Sequence, residues 1–234
     1  MRYVKKIILN IPHSSDRLLS ENGWTDQKAI AKEVRRWTDW HTDSMFQPEA
    51  DMKGKVVPVV FGVSRFCVDV ERLQDDPLNA AGQGILYERF GDCRRVIARR
   101  NALMNEYHGF ISRLSSELVK DSLIVDCHSF PSDLADIDIC IGYNDDASKP
   151  EKEMIDSVAR LFDGAGFKVG LNNPYSNSIT PKAPIDYKSL MIEVNKRCYM
   201  NECTLARTIG HDIISRLVND FYRLVSEPSL PTHG

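Results

Sequence analysis

His13 follows a short apolar run, Ile7-Ile8-Leu9-Asn10-Ile11, that Pro12 stops. His128 follows Ser122-Leu123-Ile124-Val125-Asp126, and Glu193 lies late in Leu190-Met191-Ile192-Glu193-Val194. Apolar runs of this length read as strands. Open α/β sheets bind ligands at the carboxyl ends of their strands, where loops and helix N-termini collect. Two imidazoles and a carboxylate delivered to one rim suit a catalytic zinc ion. Zinc takes imidazole nitrogen and carboxylate oxygen and keeps one position open for water. Taken singly, each residue has an ordinary explanation: a hydrogen-bonded surface histidine, or a strand-end glutamate in a salt bridge. The reading rests on their coincidence and on context. Ile-Pro-His-Ser-Ser around His13 and Asp-Cys-His-Ser around His128 bring hydroxyls to each imidazole, and Asp126 alternates with His128 so that it can orient the ring.

A third ligand is needed, and three acids compete for it. Asp16 stands three residues after His13, the His-x-x-acid spacing of zinc carboxypeptidases. Asp39 and Asp43 lie one helical turn apart in Thr-Asp-Trp-His-Thr-Asp. Asp39 also reads as a first-turn acid favoured by a helix dipole. A second cluster, Ser64-Arg65-Phe66-Cys67-Val68-Asp69-Val70-Glu71-Arg72, offers two guanidinium groups for a substrate carboxylate. If it is a strand, Arg65 and Arg72 fall on opposite faces and meet only where the strand ends or bulges. The plain alternative is a set of salt bridges with Asp69 and Glu71. Cys127 beside His128 is no nucleophile dyad, because neighbours on a strand point to opposite faces.

The elements that must position these groups follow from the periodicity. Helices are expected over 26–37, with Thr25 or Asp26 as cap, then a second helical turn through 39–43 after Thr38, and further helices over 93–120, 150–164 and 204–225. Strands are expected at 7–11, 56–60, 68–70, 122–126, 137–143, 167–170 and 190–194. Pro58 marks the second as an edge or irregular strand. Residues 74–84, with Asp-Asp-Pro and two glycines, read as a surface loop, and 228–234 as a loose tail. The alternation predicts an α/β fold: three layers, with a mainly parallel or mixed sheet between helices. No linker or repeat interrupts it, so the 234 residues are read as one domain, 1–234.

Composition removes other classes. A net charge of −3 and a pI near 6.1 give no basic face for nucleic acid. No apolar stretch reaches the length of about 18 residues that a membrane span needs. The basic, briefly apolar N-terminus (Arg2, Lys5, Lys6) is too short in its apolar part for a secretion signal, so a cytoplasmic location is expected. Six cysteines without a Cys-x-x-Cys pair read as reduced thiols.

Taken in order, several motifs resemble those of the N-formylglutamate amidohydrolase family. They are Ile-Pro-His-Ser at His13, Thr-Asp-Trp-His at Asp39, Ser-Arg-x-x-x-Asp at Arg65 and Asp-x-His-Ser at His128. Asn173-Pro-Tyr175, Ile-Glu-Val-Asn at Glu193 and Tyr199-Met200 extend the match. The resemblance implies a phosphorylase/hydrolase-like, zinc-exopeptidase-like fold and zinc-dependent hydrolysis of an amide in a small acyl amino acid, as in amino-acid catabolism. It implies His13, Asp39 and His128 as Zn2+ ligands, Glu193 as general acid/base with Arg65 assisting, and Arg72, Tyr175 and Asn195 as substrate-binding residues. Two departures bear on the substrate. Glu71 stands where the family usually has Asn, an acid whose charge would oppose an acidic substrate. Ser176, Asn177 and Ser178 replace paired glycines. A zinc amidase or peptidase for another N-acyl amino acid or short peptide is the nearest alternative. A catalytically silent protein that binds an amino-acid derivative is the alternative of another class.

Overall fold

The computed structural model describes residues 3–72, 76–92 and 96–226. Strands β1 (Lys6–Ile11), β2 (Val56–Val60), β3 (Ser122–Phe130), β4 (Ile139–Gly142), β5 (Val169–Leu171) and β6 (Tyr187–Asn195) form one sheet in the order β2-β1-β3-β6-β4-β5. All neighbouring pairs are parallel except β4 with β6. The proline-containing β2 is an edge strand, where a residue without an N–H is tolerated. No helix intervenes between β3 and β4, and without a crossover of a dozen or more residues the chain returns antiparallel.

Strand alternation sorts the side chains into two cores. Leu123, Val125 and Cys127 of β3 face one side, with Ile7 and Leu9 of β1 and Leu190, Ile192 and Val194 of β6. That side is covered by α2 (Thr42–Met45), α4 (Lys152–Gly164) and α5 (Ile209–Ser226). Ile8 and Ile124 point the other way and pack under α3 (Ile97–Glu117) and the segment carrying Phe61, Val63, Cys67 and Val70. This is the expected three-layer α/β arrangement. Helix α1 (Gln27–Trp37) buries Ile30 and Val34 against Phe66 and Tyr87, and its cap is Asp26, whose carboxylate accepts from the Ala29 N–H.

Several boundaries moved for local reasons. β3 runs on to Phe130, so His128 lies within the strand rather than after it. The helical turn expected at 39–43 begins only at Thr42, because His41 adopts a left-handed conformation (φ 66°) that interrupts the helix. Residues 64–72 are not a strand. The N–H groups of Cys67 and Val68 turn back to the Ser64 carbonyl and that of Arg72 to Asp69, leaving only an isolated bridge between Val68 and Leu86. The last helix starts at Ile209 and not near 204, because Asn201 Oδ1 accepts from the N–H groups of Cys203 and Thr204 and Leu205 is left-handed. Residues 93–95 at the expected start of α3, the beginning of the loop expected at 74–84 and the tail 228–234 lie outside the described residues. No helix among the described residues is long and apolar enough to cross a membrane.

Candidate active site

β1 ends at Ile11, and the chain carries His13 onto the rim of the sheet. Beside it, β3 presents Asp126, His128 and Phe130 on the face opposite the Cys127 core, and Asn10 of β1 sits in register with Asp126. The next strand places Glu193 in register with His128, and Cys140 of β4 lies on its other side. Asp39 arrives from the connection between α1 and α2. Its N–H donates to the His13 carbonyl (2.9 Å) and its carbonyl accepts from Thr42 Oγ1 (2.8 Å), so the non-helical stretch is fastened directly to the rim. Lys196, buried just past β6, donates to the Arg36 carbonyl in the last turn of α1.

The two imidazoles are wired alike. His13 Nε2 donates to Asp69 Oδ1 (2.9 Å) and His128 Nε2 donates to Asp126 Oδ1 (2.9 Å). Both turn Nδ1 towards Asp39 Oδ2, at 3.8 Å for His13 and 3.2 Å for His128, with ring centroids 5.1 Å apart. Ser129 Oγ donates to the other Asp39 oxygen. His13 is 2 % exposed, yet its Nδ1 has no hydrogen-bond partner. An orphaned buried nitrogen facing a carboxylate and a second imidazole, with each ring's outer nitrogen held by a carboxylate, is an arrangement that suits a metal ion. One ligand atom from each of His13, Asp39 and His128 lies within 4.8 Å of the others, a spacing that can hold a metal ion. Glu71, Asp126 and His128 satisfy the same distance, but there Asn10 Nδ2 donates to both carboxyl groups.

The electrostatics follow from burial and these contacts. Burial alone would raise the Asp69 carboxyl, but Arg65, His13 and Arg72 hold it far below the usual range. Asp39 and Asp126 are likewise held low against burial, chiefly by His128. His128, between those two carboxylates, keeps its proton well above the usual histidine range although burial opposes this. His13 is lowered by burial and by Arg65. Glu193 is pushed up to about 8, first by burial, and its Oε2 is buried without a partner. Burial likewise pushes Lys196 down to about 8, partly offset by Asp39.

Asp16 and Asp43 are exposed, and neither joins the cluster. Arg65 and Arg72 do converge, because the chain turns between them, and both meet Asp69 Oδ2 (3.0 and 3.5 Å). Arg65 also acts electrostatically on Glu193, Asp39 and Tyr175, whereas Arg72 reaches on to Asp76. Tyr175 packs edge-on against Phe130 beside the cluster. Asn195 is fully buried, and its amide is spent on the Ala135 and Ile137 carbonyls and the Arg197 N–H. That bonding holds the end of β6 and commits both amide hydrogens and one Oδ1 lone pair to the chain itself. Burial and then Asp126 push the Glu71 carboxyl up to about 8, which disfavours the charge expected there. The pairing of Asp69 with His13 was not read from the sequence, and neither was Lys196; the hydroxyl expected beside His128 is that of Ser129, which donates to Asp39 rather than to the imidazole. Asn10, a lone amide inside an apolar strand, was a signal that could have been used.

Comparison with known proteins places this geometry. The N-formylglutamate amidohydrolase family profile matches residues 5–200. A crystal structure of N-formylglutamate amidohydrolase from Ralstonia eutropha JMP134 superposes with a TM-score of 0.67 at 18% identity, covering 97% of this chain and 94% of that one. The gene product Atu2144 from Agrobacterium tumefaciens superposes at 0.64 and 17% identity, covering 96% and 93%. These two likenesses establish the fold. No curated protein sequence matches this one. With the family profile spanning most of its length, the chain belongs to the N-formylglutamate amidohydrolase family, whose members hydrolyse amides.

Proposed function

We propose that this protein is a zinc-dependent amidohydrolase that cleaves the amide of an N-acyl amino acid of the N-formylglutamate type. The observation that carries the reading is the orphaned His13 Nδ1, aimed with His128 Nδ1 at Asp39 while both Nε2 atoms are fixed by carboxylates. His13, Asp39 and His128 would hold the ion. When bound, zinc supplies Lewis acidity to a carbonyl and to a water, lowering that water's pKa towards about 7.

The remaining work falls to side chains. Glu193 takes a proton from the attacking water at its unpartnered Oε2 and returns it to the leaving amine nitrogen. A carboxyl raised to about 8 holds the accepted proton firmly enough to deliver it to the amine, and its ionised form, which the first half of the transfer needs, grows as pH rises towards that value. Arg65, anchored on Asp69 and acting on Glu193, is placed to offset negative charge on the carbonyl oxygen. With Arg72 it forms the positive wall for a substrate carboxylate, and Tyr175 stands beside the cluster against Phe130. The raised Glu71 carboxyl weakens the electrostatic objection to an acidic substrate. A different N-acyl group or amino acid remains the second reading, since the serines and asparagine after Tyr175 depart from the family pattern.

The test is metal analysis of the purified protein, followed by assays on N-formylglutamate and a panel of N-acyl amino acids. We expect bound zinc, and an activity that Glu193→Gln lowers by at least about 100-fold while zinc is retained. A protein without zinc, and inactive when zinc is supplied, is a binding protein and not this enzyme. Activity confined to neutral substrates moves the assignment to the second reading.

A further inference from the structure

Residue 71 touches both histidine arms. Its backbone N–H donates to Asp69 Oδ1 (3.1 Å), the same oxygen that accepts from His13 Nε2. Its side-chain Oε1 accepts from Asn10 Nδ2, which also donates to Asp126 Oδ1 (2.7 Å), the oxygen that accepts from His128 Nε2. The backbone N–H of Ile179 holds the other Asp126 oxygen (3.0 Å).

The Asn10 amide is fully buried, and its Oδ1 has no partner. Nothing on the carbonyl side therefore decides which way the amide faces. Two carboxyl oxygens on the other side decide it, because Nδ2 has two hydrogens and each finds an acceptor. Without the Glu71 acceptor, one buried N–H is left unsatisfied. Rotation of the amide would then set Oδ1 against the Asp126 carboxylate and repel it from its place under His128.

We propose that Glu71 is a positioning residue that acts through Asn10 and Asp126 to hold His128 with its Nδ1 towards Asp39, and so sets the affinity of the site for its metal. This rests on the metal reading given above. It also makes the two arms separable. The His13 arm depends on the backbone N–H of residue 71, which a substitution keeps, whereas the His128 arm depends on the side chain.

The experiment is a zinc-affinity measurement by chelator competition on the wild type, Glu71→Met, Glu71→Gln, Asn10→Ala and the Glu71→Met/Asn10→Ala double variant. Glu71→Met keeps the volume and loses the acceptor, and we expect zinc affinity to fall by about 10- to 100-fold. Glu71→Gln keeps an oxygen for Asn10 and should bind close to wild type. In the Asn10→Ala background, Glu71→Met should cost nothing further. If Glu71→Met does not fold, Glu71→Asp, which retains the acid but falls short of Asn10, carries the same expectation. Wild-type affinity in the folded Met or Asp variant overturns the inference, as does an equal loss with and without Asn10. A wild type that takes up no zinc overturns the metal reading itself, and this inference with it.

Discussion

Burial lifts the Glu193 carboxyl from its usual 4.5 to about 8, so the folded protein holds that proton more tightly than the unfolded chain. The associated stability is fully present below 4.5 and is lost as pH rises through about 8. Glutamine has the same shape and no proton to lose. In chelator-treated protein, we therefore expect Glu193→Gln to match the wild type at the acidic end of that window. It should exceed the wild type increasingly across the window, with the gap levelling above it at roughly a few kcal/mol, each pKa unit being worth about 1.4 kcal/mol. Denaturant titrations on both sides of the window read this directly; a pH-independent gap would mean that the carboxyl is not protonated in the folded state. Glu71 titrates over the same range, so the variant removes only part of the slope. Single residues were legible from the sequence where strand and chemistry coincide. His13, His128 and Glu193 each belong to an apolar run with a defined carboxyl end, and the structure gathers them. Asp39 could not be separated from Asp16 and Asp43 on spacing, because the choice depends on the left-handed His41, which keeps Asp39 out of the helix and leaves Asp43 exposed.

At the scale of elements, periodicity locates helices and strands but misses chain that is held by side-chain hydrogen bonds. Residues 64–72 alternate like a strand, yet fold as turns that bring Arg65 and Arg72 onto one aspartate. The pairing of Asp69 with His13 was invisible for this reason: a strand reading assigns Asp69 a face but no partner. The same holds for α5, whose apolar period extends before its true start because Asn201 and Thr204 engage the backbone in a turn. Besides its core packing, α5 brings its first turn close to the turn that follows β6. A Cβ on Gly210 would overlap the Cys198 carbonyl oxygen, which is backbone and cannot rotate aside. We expect Gly210→Ala to lower stability by about 1–3 kcal/mol, the usual cost of overpacking. Thermal unfolding would show it as a drop of about 2–4 °C per kcal/mol for a chain of this size. An unchanged melting temperature would mean that α5 sits farther from Cys198 than described.

Across the whole molecule, the α/β alternation gave the layers, and the antiparallel β4 followed from the missing helix after β3 rather than from any pattern within β4 itself. The consequence for function is that the candidate metal ligands come from three places: the end of β1, the α1–α2 connection and β3. Asp39 is the least regular of these, fixed by the His13 carbonyl, by Thr42 and by Ser129. An ion bound there joins the rim of the sheet to the layer that carries α1, and it binds the folded chain in preference to the unfolded one. Mass action then requires stabilisation: about 2.7 kcal/mol when free zinc reaches roughly 100 times its Kd. For a domain of this length, that corresponds to a rise of about 5–10 °C in melting temperature. The rise should be lost in His13→Ala, which removes a candidate ligand but leaves β1 and its Ile7, Leu9 and Ile11 core intact. A melting temperature that zinc does not raise in the wild type, or raises equally in His13→Ala, would place the ion somewhere other than between His13, Asp39 and His128.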